Sequence, residues 1–187
     1  MQHSRWFQFS ILASCILMAE SVIFSLSGFL YAQTLNQNLG PSGLPLPRFA
    51  SIKPTRVNVR VGPGSNYSII FTYRKKGLPI EIIQEYDQWR KIRDAEGDEG
   101  WVYQSLLSGK RTAITVPWQK DKTKRLMLRK SPTDNAELVA EVEPNVIGYI
   151  RQCDGGHWCE ININNTRGWL HQPQLWGIYP DEKIKGW

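Results

Sequence analysis

The sequence has few of the side chains that enzymes use for nucleophilic or acid–base chemistry. It contains three cysteines and three histidines in 187 residues, whereas a cysteine hydrolase needs a reactive thiolate beside a histidine base. The acidic residues Asp94, Glu96, Asp98 and Glu99 crowd into one short segment around a glycine. Such a segment is typical of a solvated hairpin tip rather than of a pair of catalytic carboxylates. We therefore assign no catalytic residues and predict a protein that is not an enzyme.

Two patterns for binding charged ligands are also missing. No run reaches five consecutive basic residues, and the densest basic stretch, residues 120–125, is interrupted by Asp121 and Thr123 as in a solvated loop. Gly62 and Gly64 lie between two predicted strands, whereas a phosphate-binding loop leads from a strand into a helix. The net charge of +6 favours anionic partners in general. We predict no cofactor and no nucleic-acid partner.

The N-terminus has the order of a secretory signal peptide. Arg5 precedes a long apolar stretch that ends at Ala32 and is followed by polar residues. We predict an apolar signal helix over residues 1–32 that is cleaved after Ala32, which would export the protein to the periplasm. Two alternatives stay open. One is an uncleaved membrane anchor, although Glu20 inside the stretch disfavours it, and the other is lipidation at Cys15.

The rest of the chain carries one pattern twice. Three features recur in the same order: a run of alternating apolar and polar residues, a tryptophan on a later strand, and a Gly-Trp pair. They begin at Val57, Trp89 and Gly100 in the first copy and at Leu126, Trp158 and Gly168 in the second. The offsets between copies are 69, 69 and 68 residues. Spacing this constant indicates an internal repeat of one small β unit.

These landmarks predict the domain boundaries. The segments are a Gly- and Pro-rich tether (33–50), a first repeat (51–112), a second repeat (113–178) and a tail (179–187). Each repeat alone is near the size at which burial of a core becomes marginal. We therefore expect the two repeats to pack against each other, and the join between them to supply a strand.

The motifs resemble those of the bacterial SH3 family, in which a first strand of the form L-N-V-R-x-G-P precedes W-x-x-V and G-W-V. The second repeat departs from this pattern at Met127 and Ser131. The signature positions are Asn58, Arg60, Gly62, Pro63 and Gly100 in the first repeat and Arg129, Pro132 and Gly168 in the second.

The resemblance implies an all-β fold of two small, partly open SH3-like β-barrels in tandem, preceded by the signal helix. The layout is similar to that of exported tandem SH3-like proteins of alphaproteobacterial type. Members of the family often bind cell-wall peptides or glycans, or act as targeting modules beside wall hydrolases. We find no hydrolase segment beside these repeats.

The two cysteines behind the signal segment are predicted to form a disulfide. A tight loop between Cys153 and Cys159 would place them opposite each other on paired strands, within disulfide range. The 69-residue offset gives Gln84 and Arg90 at these positions in the first repeat, so the hairpin does not require a crosslink. The rival is a zinc site, but its spacing matches no common zinc pattern, and we predict no metal. Its ligands would be Cys153, His157, Cys159 and His171.

Aromatic side chains remain as candidates for ligand binding, because sugars and peptide prolines stack on aromatic faces and nearby cations meet carboxylates. The alternative for Trp101 and Trp169 is that they fill the barrel cores. The candidates are Tyr67, Trp89, Trp101 and Tyr103 in the first repeat and Trp158, Trp169 and His171 in the second.

The sequence therefore predicts an exported, non-enzymatic SH3-like protein that binds cell-wall peptide or glycan, or a wall-associated protein. A membrane is a partner only if the signal segment is not cleaved. The alternative function is a structural or regulatory accessory subunit of a peptidoglycan-remodelling enzyme. Because the second repeat is divergent, we expect the first to be the binding repeat.

Overall fold

The structure is a computed structural model, and it describes residues 38–186. The predicted signal helix and its cleavage site lie outside the described residues. Between residues 38 and 186 no helix combines the length and hydrophobicity that crossing a bilayer requires.

The described part of the chain forms fifteen strands and two short 3₁₀ helices. The first seven strands are β1 (Arg48–Ile52), β2 (Val57–Arg60), β3 (Ile69–Tyr73), β4 (Pro79–Tyr86), β5 (Trp89–Arg93), β6 (Glu99–Tyr103) and β7 (Leu107–Ser108). The other eight are β8 (Thr112–Thr115), β9 (Leu126–Arg129), β10 (Leu138–Val142), β11 (Ile147–Asp154), β12 (Trp158–Ile163), β13 (Thr166–His171), β14 (Leu175–Trp176) and β15 (Lys183–Ile184). The 3₁₀ helices are Gln104–Leu106 and Gln172–Gln174.

The two repeats have the same sheet topology. The strand order is β3-β2-β6-β5-β4-β1-β7 in the first repeat and β10-β9-β13-β12-β11-β8-β14 in the second, and β15 adds to β11. Every strand of the first order has its counterpart at the same place in the second. The prediction of an all-β chain with two copies of one unit is therefore confirmed, and β8 is the strand expected from the join.

The core of each repeat follows from the alternation of its strands. Val57 and Val59 of β2 are buried, whereas the side chains between and after them are only partly covered. Gly100 lies against Val59 so closely that a Cβ atom at this position would collide with it. Gly168 meets Leu128 in the same way in the second repeat. The glycine of each Gly-Trp pair is thus required by the close approach of two strands.

The segment predicted as a tether is in part ordered against the first repeat. β1 begins at Arg48, inside the predicted range 33–50, and pairs with β4. Upstream of it, the backbone N–H and the hydroxyl of Ser42 both donate to the carboxylate of Glu85. The tether prediction is wrong for this part because a buried carboxylate of β4 binds the segment.

The C-terminal segment is also held by the fold. β15 pairs with β11 at Cys153 and Asp154. The Tyr179 hydroxyl donates to the carboxylate of Glu81, on β4 of the first repeat, over 2.8 Å. Residues predicted as a tail therefore connect the two repeats.

An aromatic cluster packs the repeats together, as expected from their small size. The Phe49 ring of β1 lies 5.1 Å from Trp176 and 4.6 Å from Tyr179, measured between ring centroids. The guanidinium of Arg111 lies 5.6 Å from the Phe49 centroid and forms an ion pair with Glu182. Both repeats belong to a single compact unit of the chain.

Candidate functional site

The first repeat contains an open cleft of about 720 Å³. One side is formed by β2, another by the loop between β2 and β3, and a third by two aromatic side chains of β5 and β6. Its lining includes Arg56, Asn58, Arg60, Asn66, Trp89 and Tyr103. The cleft thus combines aromatic surface with amide and guanidinium groups.

The aromatic side of the cleft is set by the pairing of β5 with β6. Trp89 lies directly opposite Tyr103 in this antiparallel pair. Their ring centroids are 5.5 Å apart and the rings meet edge to face, at 83°. Trp89 is half-buried and Tyr103 is 40% exposed. This geometry leaves aromatic surface available to a ligand.

The loop between β2 and β3 is fixed by its tyrosine. The Tyr67 ring covers Gly62, where a Cβ atom would lie only 2.5 Å from ring carbons. The Arg60 guanidinium donates to the Tyr67 carbonyl over 2.6 Å. Gly62 and Arg60 of the signature therefore shape the loop that brings Asn66 to the cleft.

A hydrogen bond orders the strand side of the cleft. The Thr72 hydroxyl on β3 donates to Asn58 Oδ1 over 2.9 Å, across the β2–β3 pair. Asn58 thus bonds to a side chain of the neighbouring strand in addition to lining the cleft.

The predicted aromatic residues of the first repeat do not all share one site. Trp89 and Tyr103 line the cleft, whereas Tyr67 supports its loop. Trp101 is only 9% exposed and does not line the cleft. It is among the buried hydrophobic residues of the repeat, as the alternative proposed, although it is not part of the connected aliphatic cluster around Val59.

Arg56 and Asn66 line the cleft although sequence reasoning did not select them. Arg56 could have been found from the period of the strand, because it has the same parity as Asn58 and Arg60. Asn66 belongs to a turn, where no periodicity indicates the direction of a side chain.

The second repeat arranges its counterparts differently. Trp158 and His171 lie opposite each other on β12 and β13, with ring centroids 3.8 Å apart. Trp158 is only 8% exposed, and His171 Nε2 lies 2.9 Å from Asp134 Oδ1. Trp169 is half-buried outside the apolar core. Ala136 stands where the first repeat has Tyr67, and its carbonyl accepts from Arg129.

Comparison with known protein families gives one match for each repeat. The family described as Bacterial SH3 domain matches residues 53–109 and 122–177, together more than half of the chain. The chain belongs to the bacterial SH3 domain family. Such SH3 domains are generally cell-wall binding modules.

The solved structures that are similar to the chain include those of NlpC-type proteins. NlpC2 from Trichomonas vaginalis has 12% identity and a TM-score of 0.31, over 70% of this chain and 48% of that one. NlpC1 from the same organism has 13% identity and a TM-score of 0.30, over 75% of this chain and 50% of that one. An NlpC/P60 family protein from Bacillus cereus ATCC 10987 has 12% identity and a TM-score of 0.30, over 73% of this chain and 58% of that one.

This chain spans about half the length of these structures. At such identities and TM-scores the likeness says nothing about the activity of this chain. No curated protein gives a significant match.

The disulfide predicted in the second SH3 domain is confirmed. Cys153 and Cys159 are bonded and lie opposite each other on β11 and β12. The bond removes both thiols from the rival zinc site. Over residues 38–186, no group of three or more His, Cys, Asp or Glu side chains is placed to hold a metal ion. A disulfide in a bacterial SH3 protein indicates a location outside the cytoplasm.

The first SH3 domain has an ion pair where the second has its disulfide. Glu85 and Arg90 are directly opposite each other on β4 and β5, and Arg90 Nε lies 3.1 Å from Glu85 Oε1. The counterpart of Cys153 is therefore Glu85, whereas the 69-residue offset predicted Gln84. The offset fails here because the β11–β12 hairpin has one more loop residue than the β4–β5 hairpin.

Proposed function

We propose that the protein is an exported, non-enzymatic binding protein of the bacterial envelope. Its first SH3 domain binds cell-wall peptide or glycan in the cleft beside Trp89 and Tyr103. The observation that carries the proposal is the partly exposed aromatic pair on one side of a cleft that also presents Asn58 and Arg60. Aromatic faces stack on sugar rings and on prolines, while amides and guanidinium groups bond hydroxyl and carboxylate groups.

The second SH3 domain is the weaker candidate on the same grounds. His171 stacks on Trp158 and leaves it almost buried. Met127 stands where the first domain has Asn58, and an alanine stands where the first domain has Tyr67. The proposed function therefore belongs to the first domain, and the second supports it structurally.

Retention on purified peptidoglycan sacculi tests the proposal. The Trp89→Ala variant of the mature chain should bind sacculi about tenfold more weakly, because removal of a stacking ring costs on the order of 1.4 kcal/mol. The control is Trp118→Ala, which removes an exposed ring outside the cleft (55% exposed). Equal retention of wild type and folded Trp89→Ala would contradict the proposal.

A second candidate is an accessory subunit of a peptidoglycan-remodelling enzyme. One outermost strand of each sheet, β3 in the first and β10 in the second, exposes apolar side chains. These are Ile69, Ile70, Leu138 and Val139, which are 39–50% exposed. An exposed sheet edge can accept an added strand from a protein partner. Copurification with a wall hydrolase, without retention on sacculi, would favour this role.

A further inference from the structure

We infer that Arg56 and Arg74 form an oxyanion-binding site at one end of the cleft in the first SH3 domain. The site would take a carboxylate or phosphate group of the bound ligand. The inference rests on the proposed function only in assigning that group to a cell-wall polymer.

The strand register places the two arginines side by side. Val57 and Tyr73 are the last paired residues of β2 and β3, so Arg56 directly precedes β2 and Arg74 directly follows β3 at the same end of the strand pair. Arg56 lines the cleft, and both arginines are exposed.

The second SH3 domain shows what ordinarily stands at these two positions. Leu126 and Val142 end the β9–β10 pair, and the next residues are Arg125 and Glu143. Their side chains form an ion pair with 2.9 Å between Arg125 Nη2 and Glu143 Oε1. The strand geometry thus lets side chains at these positions meet. In the first domain Arg74 replaces the carboxylate.

The same difference occurs two residues further along the pair. Glu141 lies opposite Met127 in the second domain, whereas the uncharged Thr72 lies opposite Asn58 in the first. At these equivalent positions, together with Arg129 and Arg60, the second domain has two arginines and two glutamates. The first domain has three arginines and no carboxylate. They are Arg56, Arg60 and Arg74.

Adjacent guanidinium groups repel each other unless an anion lies between them. A carboxylate or phosphate accepts two N–H bonds from each planar guanidinium in favourable geometry, and such charge-assisted bonds are strong. Neither Arg56 nor Arg74 forms an ion pair with another residue of the range 38–186. The exposed residues Lys53, Lys75 and Lys76 add further positive charge nearby in the chain.

Carboxylates of the same domain do not take this place. Asp94 accepts a hydrogen bond from the Tyr73 hydroxyl. Glu96 and Asp98 also interact electrostatically with this hydroxyl. Tyr73 packs against the core of the domain. Arg74 directly follows Tyr73 at the end of β3, and side chains alternate in direction along an extended chain, so we infer that Arg74 projects to the side opposite to Tyr73. Arg56 at the cleft and Arg74 beside it therefore receive no carboxylate from this cluster.

The Arg74→Glu variant tests the inference, because it recreates in the first domain the ion pair of the second. Binding of the mature chain to poly-L-glutamate and to polyphosphate is measured at constant ionic strength, one probe for each oxyanion. We expect wild type to bind at least one probe and Arg74→Glu to bind it at least tenfold more weakly. Thermal unfolding should show that the variant is folded and no less stable than wild type.

The matched control is Arg167→Glu, which makes the same change of charge at an exposed strand position of the second domain. It should keep affinity within about twofold of wild type, since no second arginine is paired with it. Equal losses in the two variants, or no binding of either probe to wild type, would overturn the inference. The probe that binds more tightly identifies the oxyanion.

Sacculi separate this inference from the proposed function. If sacculi retain wild type and Arg74→Glu equally, wall binding stands and the oxyanion site is wrong. If wild type binds a probe in an Arg74-dependent way but is not retained on sacculi, the oxyanion site stands and the wall ligand is wrong.

Discussion

Glu85 is a buried carboxylate that several parts of the first domain bind at once. Its side chain is 1% exposed and lies 2.6 Å from Arg48 and 3.1 Å from Arg90. Ser42 donates two further hydrogen bonds to it. Burial by itself raises the pKa of this carboxyl, but the bonds from Arg48 and Ser42 outweigh burial and lower the pKa to about 2. The ionised form of Glu85 is therefore part of the folded state.

The lowered pKa predicts the acid stability of the protein. A carboxyl with a depressed pKa in the folded state stabilises that state above its unfolded pKa of 4.5 and loses the contribution as the pH falls toward 2. The Glu85→Gln variant should lose about 3 kcal/mol of unfolding free energy at pH 7, because two arginines lose their carboxylate. It should also show a weaker decline of stability between pH 4.5 and 2. Denaturant unfolding at a series of pH values measures both.

Glu137→Gln is the matched control for Glu85→Gln. Glu137 pairs with Lys130 on the surface, where both side chains are about 70% exposed. Water screens such a pair, so its removal should leave the decline of stability between pH 4.5 and 2 unchanged. A Glu85→Gln chain as stable as wild type at pH 7 would contradict the role of this carboxylate.

The β4–β5 and β11–β12 hairpins show two solutions to one structural requirement. The opposed residues near each hairpin tip are Glu85 with Arg90 in one domain and the bonded Cys153 with Cys159 in the other. The disulfide also lies where β15 pairs with β11, at Cys153. The disulfide therefore stabilises both the hairpin and the pairing of β15 with β11.

Removal of the disulfide should weaken this hairpin without unfolding the domain. We expect the double variant Cys153→Ala/Cys159→Ala to lose about 2 kcal/mol of stability, near the lower end for disulfides because the closed loop is short. Calorimetry should then show a lower melting temperature. Reductant should lower the melting temperature of wild type and leave that of the double variant unchanged. Equal stability of the two oxidised chains would show that the bond contributes nothing.

The two SH3 domains of the whole molecule are joined by contacts distant in sequence. The Phe49 ring of the first domain packs against Trp176 and Tyr179 near the C-terminus. The Tyr179 hydroxyl bonds to Glu81, and burial together with this bond raises the pKa of Tyr179. The phenol is therefore a neutral hydrogen-bond donor at physiological pH, and it donates to the Glu81 carboxylate.

This interface predicts cooperative unfolding of the two domains. Wild type should unfold in a single calorimetric transition, whereas Phe49→Ala should separate into two transitions or melt at a lower temperature. The expected loss is about 2 kcal/mol, because Phe49 is half-buried and large-to-small changes at fully buried aromatic sites cost about 3–5 kcal/mol. Trp118→Ala, at an exposed position, should leave the transition unchanged. Two transitions already in wild type would mean that the interface does not couple the domains.

Much of this fold could be predicted from the sequence because the relevant signals are local. Val57 and Val59 alternate with polar residues, and that period specifies a strand with one buried face. The repeat followed from offsets between Trp89 and Trp158 and between the Gly-Trp pairs. The opposition of Cys153 and Cys159 followed from a short loop between paired strands. These properties need only the chain and the geometry of a β-hairpin.

The site was predicted only in part because a cleft depends on which strands become neighbours. The sequence by itself determined the strands, the repeat and the disulfide, and it included Trp89 and Tyr103 among seven candidate ligand-binding residues. Only the tertiary structure decided that these two line a cleft with Arg56 and that Trp101 does not. Likewise, only the fold attaches the segments around Ser42 and Tyr179 to β4. The physical reason is that these contacts join residues distant in the chain, and no local period or spacing encodes their partners.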